Sequence, residues 1–165
     1  MRIVAASYAH SRVVDREPRV PYACSERNEF VHRVPYHLGY GLTHPIALEG
    51  ALKLKEITYA HCEGIFSSEF KHGPLSAVHD GYPVLFITAP GDEMMMRGGR
   101  AIAVAAEHPA LRSNVHDYLV VPDSDRFLSP ILATVPAQLV SYFMSVARGI
   151  DPDFPRNLSK TLTVD

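Results

Sequence analysis

The chain predicts an α/β fold of layered type, with a mostly parallel sheet carrying helices on both faces. Three observations support it. Short apolar runs of buried-strand character recur at Tyr82–Thr88, Arg100–Ala106 and Asp117–Pro122. Two long segments, one after Pro45 and one after Pro130, carry helical rather than strand patterning. From Phe30 onward the two kinds of segment alternate, which is the pattern of a parallel sheet crossed by helices. The 165 residues are 47% hydrophobic and 21% charged, values that suit one globular domain with a real core.

In chain order, residues 1–29 hold arginines, acids and two prolines without a clear period, and read as an irregular N-terminal arm. Residues 30–165 form the ordered domain. Phe30–Gly41 reads as a strand entering a glycine-rich turn, made imperfect by Pro35. Thr43 is the expected cap and Pro45 the first-turn proline of a helix of about 15 residues. Its apolar side is Ile46, Leu48, Ala51, Leu52 and Ile57. His61–Glu69 reads as a strand and Lys71–His79 as a short helix or turn. After the strand that begins at Tyr82 and ends near Ala89, only PGDEMMMRGG intervenes before Arg100, which is short for a parallel crossover. The place of Arg100–Ala106 in the sheet order therefore stays open. The last helix begins at Pro130, contains Pro136, and ends at Gly149, a residue suited to a helix C-terminus.

A formal charge of −2 without a basic run excludes an electrostatic case for nucleic acid or an anionic membrane. No apolar run is expected to span a bilayer, and the N-terminus lacks a signal pattern, so a cytoplasmic protein is expected. Cys24 and Cys62 form no metal or redox motif and read as reduced thiols. The histidines show no ligand spacing, so neither a metal nor any other cofactor is expected.

Three blocks carry chemistry. In the first, Glu49, Lys53 and Glu56 share one side of the first helix at i, i+4 and i, i+3 spacing. Spacing alone favours a solvated face with two ordinary ion pairs. The helix nevertheless starts at a glycine turn after a strand, the usual ligand position, so Lys53 and Glu56 are expected at the rim of a pocket near Gly39–Thr43. In the second, His72 sits between Lys71 and Gly73-Pro74, either as a turn histidine bonded to nearby backbone or as a general acid/base. In the third, Arg156, Asn157 and Lys160 follow Pro155. Leu158, Leu162 and Val164 alternate as if packed, which would turn Lys160 inward, where a desolvated amine attacks carbonyls.

The segments LGYG, PIALEGALKLKEITY, HCEG, EFKHGPL, TVPAQL and DFPRNLSKTLTVD resemble the second sugar-isomerase (SIS) domain of the glutamine–fructose-6-phosphate aminotransferase family, from about Phe30 to Asp165. The resemblance implies a three-layer, flavodoxin-like fold with a five-stranded parallel sheet. It implies fructose-6-phosphate as substrate and glucosamine-6-phosphate as product. Glu56 would move the proton between C1 and C2, with Lys53 supporting it. His72 would assist ring opening from a neighbouring subunit, and Lys160 would form a Schiff base with the ketose. The family's N-terminal nucleophilic cysteine, its first SIS half and that half's Ser/Thr-rich phosphate loop have no counterpart in the sequence. The expected partners are therefore a second copy or a second SIS or glutaminase chain. A non-catalytic sugar-phosphate sensor is the alternative reading.

Overall fold

A computed structural model describes residues 35–92 and 99–158. The arm at residues 1–29, the start of the first strand, Cys24 and Lys160 lie outside the described residues. The elements are β1 (Tyr36–Gly39), α1 (His44–Thr58), β2 (Glu63–Phe66), β3 (Pro83–Ile87), β4 (Arg100–Ala106), α2 (Pro109–Arg112), β5 (Asp117–Val121) and α3 (Ser129–Ala147). The sheet order is β2-β1-β3-β4-β5 and every neighbouring pair is parallel. This is the flavodoxin-like order, in which the strand sequence reverses beside β1. The short crossover does place β4 beside β3, with Pro83 opposite Arg100 and Ile87 opposite Val104.

The ends of the elements follow from a few residues. Pro45 lies in the first turn of α1, where a missing N–H costs nothing. Thr43 precedes that helix but does not cap it through its side chain. Its hydroxyl instead accepts from Tyr40 N–H and donates to Tyr40 O, both at 2.9 Å, closing the short 3-10 turn Gly41–Thr43. Gly149 follows α3 with φ of +69°, the left-handed conformation glycine adopts most readily. Pro136 lies inside α3, which continues from Ser129 to Ala147.

Both faces of the sheet are covered, but unequally. On one face α1 and α3 pack side by side over Leu85, Ile87, Ile102, Val104 and Val121, contributing Ala47, Ala51, Leu54, Ala133, Val140 and Met144. On the other, Leu38, Val84, Phe86 and Ala101 meet Phe70, Leu75 and Val78 of the turns after β2, and Val115 after α2. The described residues thus place their two long helices on one face and short turns on the other. By length and composition α3 is apolar enough to cross a membrane, contrary to the sequence expectation. Here one side of it is a core surface, with Ala133, Ala137, Val140 and Met144 fully buried.

α1 sits on the sheet at backbone contact distance. A methyl group on Gly64 of β2 would lie 2.7 Å from Leu48 Cα, and one on Gly39 would collide with the Thr43 carbonyl. Gly50 faces His37, whose Cδ2 would be 3.0 Å from a methyl there. His37 is fully buried. The Cys62 thiol donates to Pro35 O at 2.8 Å, which leaves its sulfur to accept from His37 Nδ1 at 3.1 Å. Nε2 then carries a buried lone pair without a partner. Burial pushes this imidazole down to about 4 and the Cys62 thiol up to about 12.

Two outcomes are expected. Gly64→Ala lowers the stability measured by urea unfolding by roughly 1–3 kcal/mol, because backbone rather than a flexible side chain blocks the added methyl. For His37, the unfolded chain binds a proton near pH 6.5 that the folded chain refuses until about pH 4. Its contribution is therefore complete above pH 6.5 and declines as pH falls to about 4, by roughly 3 kcal/mol in total. Urea midpoints across that window should fall less steeply for His37→Leu than for the native chain.

Candidate functional site

The buried side of α1 is Ala47, Gly50, Ala51, Leu54 and Thr58, which turns Glu49, Lys53 and Glu56 outward, away from the sheet. Lys53 Nζ donates to Glu56 Oε2 at 2.8 Å and lies 3.8 Å from Glu49 Oε1. The group is only partly exposed, with 25% of the Glu56 side chain and 36% of the Lys53 side chain accessible. The hydrogen bond that Lys53 donates to Glu56 holds its ammonium above its usual range, although partial burial opposes this. Lys53 is therefore a fixed cation at neutral pH, suited to steadying negative charge on its neighbour and unsuited to attack.

The expected rim near Gly39–Thr43 is not where this group lies. Thr43 precedes the first turn of α1, and Glu56 lies thirteen positions later, about 20 Å along the axis at 1.5 Å per residue. Because α1 runs back antiparallel to the strands, Lys53 and Glu56 approach the amino-terminal edge of the sheet. The glycine turn stays at the carboxyl edge.

The last turn of α1 is held by α3 and by the segment after it. The Ser145 hydroxyl shares its proton between Ile57 O at 2.8 Å and Ile150 O at 2.9 Å. Arg148 Nη1 donates to Thr58 O at 2.9 Å, so two carbonyls left over at the helix end are satisfied. Tyr59 then takes a left-handed conformation, φ 58°. Its hydroxyl accepts from Arg156 N–H at 2.8 Å, and the Arg156 guanidinium lies over its ring at 4.1 Å from the centroid. No periodicity reveals these contacts, because their partners stand 88 to 97 positions apart.

His72 is exposed, at the end of the 3-10 turn Phe70–His72, and its N–H donates to Glu69 O at 3.0 Å. That turn follows the carboxyl end of β2, whereas Glu56 lies just before its amino end. Among the described residues no hydrogen bond or ion pair joins His72 to Lys53 or Glu56. One chain thus brings together Lys53, Glu56 and the start of the C-terminal segment, and leaves His72 at the opposite edge. On the neighbouring helix α3, Tyr142 and Val146 near its end and Ile131 near its start are exposed to solvent.

Comparison with known proteins gives the family. The SIS domain family matches residues 35–148. The chain belongs to the SIS family. The SIS domain here is 43% identical over 154 residues to the glutamine–fructose-6-phosphate aminotransferase of Methanothermobacter thermautotrophicus, covering 86% of this chain and 25% of that protein. The similar enzyme of Thermococcus kodakarensis is 45% identical over 141 residues, covering 79% of this chain and 23% of the enzyme. Among solved structures, the C-terminal domain of the aminotransferase from Francisella tularensis superposes with a TM-score of 0.61 at 35% identity. That match covers 73% of this chain and 37% of the other. The SIS domain thus spans about a quarter of the length of the curated relatives it matches.

A partly solvated ion pair contributes little to folding. Glu56→Gln should therefore shift unfolding free energy by less than about 0.5 kcal/mol in denaturant titrations. A loss of several times that value would mark the trio as structural.

Proposed function

We propose that this SIS domain is the isomerase part of an assembly that converts fructose-6-phosphate to glucosamine-6-phosphate. The observation that carries the reading is the Lys53–Glu56 pair. It is held at 2.8 Å on the outward side of a rigid core helix, at the helix end where the C-terminal segment is tied down. In this reading the Lys160 amine adds to the ketose carbonyl at C2 and water leaves, giving an imine. Ammonia from the nitrogen donor then adds at C2 and expels the Lys160 amine, giving the free sugar ketimine. Glu56 takes a proton from its C1 and returns it at C2, leaving the aldehyde and amine of the product, while Lys53 steadies its charge. The imine withdraws electrons from C2 and so acidifies the C1 proton. His72 lies far from Glu56 within one chain, which suits a role in ring opening at a neighbouring subunit's site.

The exposed apolar residues of α3, the helix packed beside α1, form the surface on which a second copy or a second SIS unit would complete the site and exclude water. A glutaminase chain would supply the nitrogen. The cytoplasm is the proposed place of action.

The test is solvent exchange. With fructose-6-phosphate in D2O, the chain, together with a SIS partner if one is needed, should exchange the C1 hydrogen. Glu56→Gln should lower that rate by at least about a hundredfold, the usual weight of a general base. Borohydride should reductively attach the sugar to Lys160. Calorimetric binding of the sugar phosphate without exchange or attachment would instead establish a sensor and overturn the catalytic reading.

A further inference from the structure

We infer that Tyr59 is a positioning residue that anchors the C-terminal segment against the last turn of α1, and so sets where the chain leading to Lys160 emerges relative to Glu56. The part concerning Lys160 rests on the role proposed for it above. The anchor itself rests on three observations of the described residues.

First, Tyr59 engages Arg156 twice. Its hydroxyl accepts from the Arg156 N–H at 2.8 Å, and its ring lies under the guanidinium at 4.1 Å. The two contacts use opposite ends of one arginine, its backbone and its charged tip, so they fix orientation as well as place. Second, the chain turns directly after this point, with Asn157 at φ 61°, a conformation asparagine tolerates. Third, Tyr59 itself is left-handed at φ 58°, ending α1 with its N–H on Lys55 O at 3.1 Å. Glycine ends helices this way without steric penalty, whereas a bulky aromatic residue is disfavoured there. Helix termination therefore does not account for a tyrosine at this position, and the grip on Arg156 does.

The geometry sets the consequence. Tyr59 follows Glu56 by one helical turn. Holding Arg156 on Tyr59 thus places the described start of the C-terminal segment at the end of α1 that carries Glu56 and Lys53.

Tyr59→Asn tests this in the full chain, because asparagine keeps the left-handed turn and removes both contacts. Tyr59→Phe keeps the ring and removes only the hydroxyl. Hydrogen exchange read by NMR should show the Arg156 amide losing about tenfold or more of its protection in both variants, with unchanged melting. Borohydride attachment of fructose-6-phosphate at Lys160 should slow severalfold in Tyr59→Asn and recover partly in Tyr59→Phe. An Arg156 amide equally exposed in the native chain overturns the anchor. Lost protection with unchanged attachment overturns the positioning role. A native chain that attaches no sugar refutes the proposed function instead, and the exchange measurement then decides the anchor alone.

Discussion

The structure depends on how closely α1 lies on the sheet. At Gly64 the approach is so tight that a single methyl would stand 2.7 Å from a helix Cα, and at Gly39 it would meet a main-chain carbonyl. Contacts between main chains allow no rotamer escape, so the helix has one height and one rotation. Its rotation decides that Ala47, Ala51 and Leu54 enter the core, and therefore that Glu49, Lys53 and Glu56 do not. Gly50 extends the same constraint sideways, admitting His37 from below and Ala137 of α3 beside it.

The two layers against the sheet have different tasks. The helical layer is dense near the sheet, and its outward side carries a partly solvated ion pair on α1 and exposed apolar residues on α3. The opposite layer is made of short turns, among them the one that carries His72. The candidate side chains on the two edges do not meet within one chain. In the proposed function, groups divided in this way would belong to one part of a shared site.

Among the described residues, a buried histidine and a buried cysteine meet at one place in the core. His37 and Cys62 satisfy each other and Pro35, while one imidazole nitrogen remains without a partner. Burial keeps the histidine neutral and the thiol protonated, so neither is disposed to react. The pair couples the fold to acid without touching the candidate site.

Much was legible in the sequence because it is local. Apolar runs such as Pro83–Ile87, Pro45 at the start of α1 and Gly149 after α3 follow from interactions within a few residues. So does the shared side of Glu49, Lys53 and Glu56. The apolar side expected for α1 was only partly right, since Leu48 and Leu52 are exposed and Leu54 is buried instead. The Glu–Lys helix and the PRNL block suggested the aminotransferase's SIS domain, which the family match over residues 35–148 and relatives 43% and 45% identical bear out. What the sequence left open is non-local. It could not place β4 beside β3, since the connection is short and only the pairing of Pro83 with Arg100 settles it. It put Lys53 and Glu56 near the glycine turn, but a helix advances 1.5 Å per residue and carried them to the far edge. It also proposed a cap at Thr43, whose hydroxyl turned to Tyr40 instead. The grip of Tyr59 on Arg156 had no signal at all, because residues 97 apart become neighbours only when the sheet brings the ends of α1 and α3 together. Periodicity and end signals determined which elements form and which side chains share a face. Packing between distant main chains decided where those faces lie.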